Sequence, residues 1–123
     1  MKTFLALLLF LFPVLPAADV ADEVAVAVRS GDAKALSKYF ADNVDLKVLE
    51  QENIYSKAQA EMILRDFFAR HAVQEFSIIR KSLPNNDSQF VTGSLKTSNG
   101  TFRVHYLLKS STVTQFRIET SDE

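Results

Sequence analysis

Thiol chemistry is closed to this chain, because its 123 residues include no cysteine. Thiol nucleophiles and thiolate metal sites are therefore excluded. Three tyrosines (Tyr39, Tyr55 and Tyr106) and two histidines (His71 and His105) are the candidates beside the carboxylates. General acid–base work in an apolar cavity needs a carboxylate or imidazole with a displaced pKa, and a donor for developing oxyanion charge. The two histidines lie far apart with no carboxylates at ligand spacing, so no metal site is assigned. With only Gly31, Gly93 and Gly100, the chain has no glycine-rich phosphate loop and no nucleophile elbow. Asp66 falls on the polar side of a helical stripe, where a solvated carboxylate is the ordinary outcome. No catalytic residue and no cofactor is assigned.

The elements that would position these groups begin after an apolar leader. Met1-Lys2 is followed by an almost wholly apolar run from Thr3 to Leu15, broken by Pro13 and Pro16 and ended by Ala17-Ala18. That order predicts a signal peptide over 1–18, cleaved near Ala17 or Ala18, with one domain over 19–123. The run is shorter than the roughly 20 residues a membrane span needs, so no span is expected once the leader is removed. The protein is then expected to be periplasmic or extracellular. A formal charge of −1 gives no electrostatic case for nucleic acid.

Asp19 is placed to cap a helix ending at Ser30, with Gly31 as its left-handed terminator. Asp32 can cap a second helix whose buried stripe is Leu36, Tyr39 and Phe40, closed by Asp42-Asn43. Val44, Leu46 and Val48 alternate as a half-buried strand, and Ile54-Tyr55 can pair back on it. Ser56 and Gln59 form a capping box for a third helix carrying Ala60, Ile63, Leu64, Phe67 and Phe68.

From Glu75 the period changes to two, predicting strands near 76–81, 88–97, 101–109 and 113–119. Asn99-Gly100 signals a tight hairpin, which sets Leu95 opposite Val104, Gly93 opposite Tyr106 and Val91 opposite Leu108. The last hairpin sets Tyr106 opposite Phe116, Val104 opposite Ile118, Arg103 opposite Glu119 and His105 opposite Arg117. The first sets Ile78 opposite Val91 and Phe76 opposite Gly93. This alternation puts Phe102, Val104, Tyr106, Phe116 and Ile118 on an inner face. Lys96, Arg103, His105, Arg117 and Glu119 go to an outer one, where His105 is expected to be solvated between Ser94 and Arg117.

The order of two helices, a strand or short hairpin, a third helix and a four-strand meander resembles the nuclear-transport-factor-2-like fold, an α+β cone. A closer likeness is carried by Val28-Arg29-Ser30-Gly31-Asp32-Ala33, Tyr55-Ser56-Lys57-Ala58-Gln59-Ala60, Asp66-Phe67-Phe68 and Thr97-Ser98-Asn99-Gly100-Thr101-Phe102-Arg103-Val104. These segments resemble an exported Bacteroidetes family known only as a domain of unknown function with this cystatin-like cone. The resemblance implies fold and export and brings no functional residues with it.

Two functional readings follow. In the first, the chain is a non-catalytic exported module. Its ligand pocket would be lined by Tyr39, Phe40, Tyr55, Phe67, Phe68, Tyr106 and Phe116, holding a small apolar molecule unless the same rings simply fill the core. Alternatively, an apolar cluster of Ile79, Phe90, Leu107 and Val113 on the outer sheet face meets a second copy or another partner, as the fold family commonly does, unless the chain itself covers it. In the second reading, the cone is a small lyase, isomerase or hydrolase using Tyr106 or a neighbouring polar group.

Overall fold

The computed structural model describes residues 19–121, so the leader expected over 1–18 lies outside the described residues. Helix α1 (Val20–Ser30) starts where Asp19 turns its carboxylate onto the Ala21 amide, 2.9 Å away, and ends at Gly31 with φ 65°. Helix α2 (Ala33–Ser37) is capped by Asp32 but stops well before Asp42. Tyr39 and Phe40 are therefore not a helical stripe: Phe40 is the first residue of β1 (Phe40–Val48), antiparallel to β2 (Gln51–Ser56). The Tyr39 carbonyl accepts from the Val113 amide at 2.8 Å. That long-range bond extends the strand towards the helix, and local periodicity does not encode it.

Helix α3 (Lys57–Arg70) carries the reciprocal Ser56–Gln59 capping box. Strands β3 (Val73–Lys81), β4 (Ser88–Thr97), β5 (Gly100–Lys109) and β6 (Thr112–Thr120) form the meander. The six strands make one sheet in the order β2-β1-β6-β5-β4-β3, closed in the middle by parallel pairing of β1 with β6. The helices cover one face, against which Val91, Leu95, Val104, Tyr106, Phe116 and Ile118 are fully buried.

Inner and outer faces divide as the alternation predicts, yet two registers differ by two residues. The β4–β5 turn is centred on Ser98-Asn99, so Leu95 opposes Phe102, Gly93 opposes Val104 and Val91 opposes Tyr106. Tertiary bonds select this turn. Asn99 Nδ2 donates to the Arg70 carbonyl at 3.2 Å, and the Ser98 amide donates to the Ala72 carbonyl at 2.9 Å. In the β3–β4 hairpin Phe76 opposes Leu95 and Ile78 opposes Gly93, with a bulge at Ile79. The Phe76 ring lies against Gly93, where an added Cβ would come within 2.4 Å of its Cζ. Glycine is needed there so that a ring can cover bare backbone.

The last hairpin keeps its expected pairs from Phe102 to Leu107 and then shifts, setting Leu108 opposite Val113. The extra residue in β6 turns Val113 inward, where it is fully buried. The outer-face position expected for Val113 is corrected accordingly.

Candidate functional site

The expected pocket residues do not surround one cavity. Tyr106 is fully buried, its ring 5.9 Å from Phe116, and Phe116 lies 5.7 Å from Phe40. The Tyr106 hydroxyl donates to the Ala21 carbonyl at 2.8 Å, and burial, followed by the nearby Asp22 and Asp19, raises its pKa. A phenol so held is a buried donor tying β5 to α1 rather than a proton carrier. Phe67 packs on Phe68 at 5.7 Å and on Phe102 at 5.3 Å, which fills the space beneath α3. Tyr39 is half-buried and donates to Glu23 Oε1 at 3.3 Å; burial and that carboxylate raise its pKa. Tyr55 sits near the β2 edge, accepting from Gln51 Nε2, beside a shallow hollow shared with Gln59, Met62 and Ile63.

His71 closes α3 and stacks 4.4 Å from Phe67. Its Nδ1 lies 2.7 Å from Asn99 Oδ1, while Asn99 Nδ2 donates to the Arg70 carbonyl. The amide oxygen has to accept, so Nδ1 is the protonated nitrogen. His71 thus fastens the helix end to the β4–β5 turn. Asp66 is exposed and paired with Arg70 at 3.3 Å.

The outer sheet face holds a cross-strand ionic network. Reading across one row, Glu52 on β2 neighbours Lys47 on β1, then Arg117, His105, Thr92 and finally Arg80 on β3. Arg117 lies 2.6 Å from Glu52, 3.6 Å from Asp45 and 3.6 Å from Glu119, and Lys47 reaches Glu119 at 3.2 Å. Burial pushes the Glu119 carboxyl up, but the Lys47 bond with the charges of Lys47, His105 and Arg117 brings it below its ordinary value.

His105 is half-buried in this network rather than solvated. Its Nδ1 is 3.0 Å from Thr92 Oγ1, its Nε2 3.6 Å from Glu119 Oε1, and its ring stacks 6.1 Å from Phe90. Burial lowers its pKa, with Arg103 and Arg117 acting the same way against Glu119. Arg103, directly opposite Glu119, makes no ion pair among the described residues, and its buried Nε has no partner.

The row beyond this network is apolar at both ends. Phe90 opposes Leu107 and is 40% exposed. Leu83, 85% exposed, and Ser82 share a hollow with both. Ile79, 54% exposed in the β3 bulge, belongs to the same end of the sheet, and Ile54 stands out on β2 with 64% exposed. Leu83 escapes sequence reasoning because it is a lone apolar residue in a polar stretch, and the Ile54-Tyr55 segment is too short for alternation to assign Ile54 a face. The one available signal is that each stands where alternation has no inward place for it. Among the described residues no three potential metal ligands gather, and no helix is long and apolar enough to cross a membrane.

A curved six-stranded sheet holding three helices on one face is the nuclear-transport-factor-2-like, or cystatin-like, cone. Solved structures with that fold include an uncharacterised cystatin-fold protein from Novosphingobium aromaticivorans, 11% identical over 80% of this chain and 93% of that one, TM-score 0.57. Another is a putative polyketide cyclase from Sinorhizobium meliloti, 13% identical over 83% and 94%, TM-score 0.64. At these identities the likeness concerns the fold alone.

Residues 21–120 match the family described as a domain of unknown function, DUF4783, and the chain belongs to that family. A member from Bacteroides uniformis is 32% identical over 85% of this chain and all of its own, TM-score 0.79. No curated protein matches.

Proposed function

We propose that this protein is an exported, non-catalytic interaction module whose working surface is the outer face of its sheet, with a second copy of the chain as its partner. The observation that carries this reading is the apolar corner at Phe90, Leu83 and Ile79, exposed among the described residues on a face that none of the described helices covers. Soluble proteins seldom leave such side chains grouped in water without a contact to make.

The competing readings place the function inside the cone. A small apolar ligand needs space that Tyr106, Phe116, Phe40 and Phe67 occupy. A lyase, isomerase or hydrolase needs an inward base, whereas the inward phenol of Tyr106 is committed to the Ala21 carbonyl. Export rests on the leader read from Met1 to Ala18, directly before the helix cap at Asp19. Sequencing the N-terminus of the protein from its native envelope or medium is expected to give Asp19 or a neighbour; an intact Met1 would reject export with cleavage.

Solution mass across micromolar concentrations tests the interaction reading. A dimer that reverts to monomer in Phe90→Lys supports it. A monomer at every concentration, unchanged in that variant, rejects self-association.

A further inference from the structure

Among the asparagines of this chain, only Asn99 precedes a glycine, and that pair has a chemistry of its own. Glycine carries no side chain to hinder its amide nitrogen. Where the backbone turns freely, the Gly100 nitrogen reaches the side-chain carbonyl carbon of Asn99. A carbon–nitrogen bond closes a five-membered imide, and the Cγ–Nδ2 bond breaks. Nδ2 leaves as ammonia, taking the proton that the Gly100 amide gives up. Water then opens the ring at either carbonyl, leaving aspartate or its isoaspartyl isomer at position 99. One water is consumed for each ammonia released, and no other reactant is needed.

The fold builds a lock around this pair. Asn99 Nδ2 donates to the Arg70 carbonyl at 3.2 Å, and Oδ1 lies 2.7 Å from His71 Nδ1. Both bonds hold the side chain against the end of α3. Thr97, 5% exposed, holds the backbone: its hydroxyl accepts from the Asn99 amide at 3.3 Å and donates to the Gly100 carbonyl at 2.7 Å. His71 is itself fixed, stacked on Phe67 and edge-on to Phe102 at 5.1 Å. Ring closure requires the Asn99 side chain or the Asn99–Gly100 peptide to turn, which breaks one of these bonds first.

We infer that Asn99 is a site of spontaneous deamidation, held off in the folded chain by His71, Arg70 and Thr97, and that its conversion releases the β4–β5 turn from α3. The release follows from the bonds. A carboxylate at position 99 has no donor for the Arg70 carbonyl and sets two acceptors face to face. It also puts negative charge at a helix C-terminus, where the backbone dipole is already negative. The isoaspartyl form lengthens the main chain inside the two-residue turn between Thr97 and Gly100. The bond from the Ser98 amide to the Ala72 carbonyl, 2.9 Å, is the neighbour that then loses its support.

Peptide mapping by mass spectrometry after long incubation at neutral pH tests the lock. The folded parent is expected to convert at position 99 roughly tenfold more slowly than the same chain in urea, because ring closure waits on local opening. His71→Phe keeps a ring over Phe67 and removes the Nδ1 donor, so it should convert several-fold faster than the folded parent; His71→Leu serves if that variant unfolds. A folded parent as fast as the unfolded chain, or a folded variant as slow as the parent, overturns the lock. An unfolded chain that stays unconverted at position 99 overturns the site itself. Hydrogen exchange tests the release. In Asn99→Asp the Ser98 amide is expected to exchange roughly tenfold faster than in the parent, and an unchanged rate refutes it.

Discussion

At the residue scale, His105 shows how a side chain on a nominally wet face becomes a constrained group. Alternation assigned its face, and the β5–β6 register its opposition to Arg117. Its enclosure by Phe90, Thr92 and Glu119 was not legible, since Thr92 faces it only through the two-residue shift at Asn99. Burial, with Arg103 and Arg117, holds its pKa below the ordinary 6.5. The unfolded chain therefore takes up a proton first as the pH falls. The associated stability is intact above about pH 6.5 and declines below it, through the folded value. Urea unfolding at pH 7.5 and 5.5 checks this: His105→Gln is expected to lose less stability between the two than the parent. Equal losses would mean that the imidazole is not held in its neutral form by this environment.

At the element scale, turn residues proved less informative than the bonds that recruit them. Asn99-Gly100 is the strongest hairpin signal in the sequence, yet the turn is centred one residue earlier because Asn99 is bound to Arg70 and His71. Ser110-Ser111 carries no such signal and still forms a two-residue turn with φ values of 50° and 68°. Those angles belong to a mirror-type turn that Asn-Gly fills with least strain. Replacing Ser110-Ser111 with Asn-Gly should therefore stabilise the fold by about 1 kcal/mol, the scale of the left-handed penalty for ordinary residues. A raised denaturant midpoint with unchanged slope is the expected result. A lowered midpoint would show that the serine side chains have a role the backbone angles do not reveal. The capping box at Ser56 and Gln59, by contrast, was legible outright because its partners are three residues apart.

At the scale of the whole molecule, the presence of three helices (the extent of α2 apart) and the division of the meander into two faces (Val113 apart) followed from periodicity, since each depends on near neighbours. The parallel β1–β6 pairing did not. It joins residues some 70 positions apart, and it is what assembles Asp45, Lys47, Arg117 and Glu119 into one network. That same closure brings Phe40 onto Phe116 and seals the interior. Sequence composition alone leaves open whether the six inward phenylalanines of the domain, Phe40, Phe67, Phe68, Phe76, Phe102 and Phe116, enclose a pocket or fill a core; the close packing of Phe40, Tyr106 and Phe116 favours filling. The consequence is measurable. Phe116→Ala removes a ring with no exposed surface and is expected to cost about 3–5 kcal/mol, a large part of the ~5–15 kcal/mol typical of a domain. The vacated volume, lined by Phe40 and Tyr106, should then bind a small apolar probe such as benzene, as dry engineered cavities do. The parent protein should not. Phe116→Leu serves if the alanine variant fails to fold, with a smaller loss of stability and weaker uptake. Saturable benzene binding by the parent, unaltered by either substitution, would return the cone interior to contention as a ligand site.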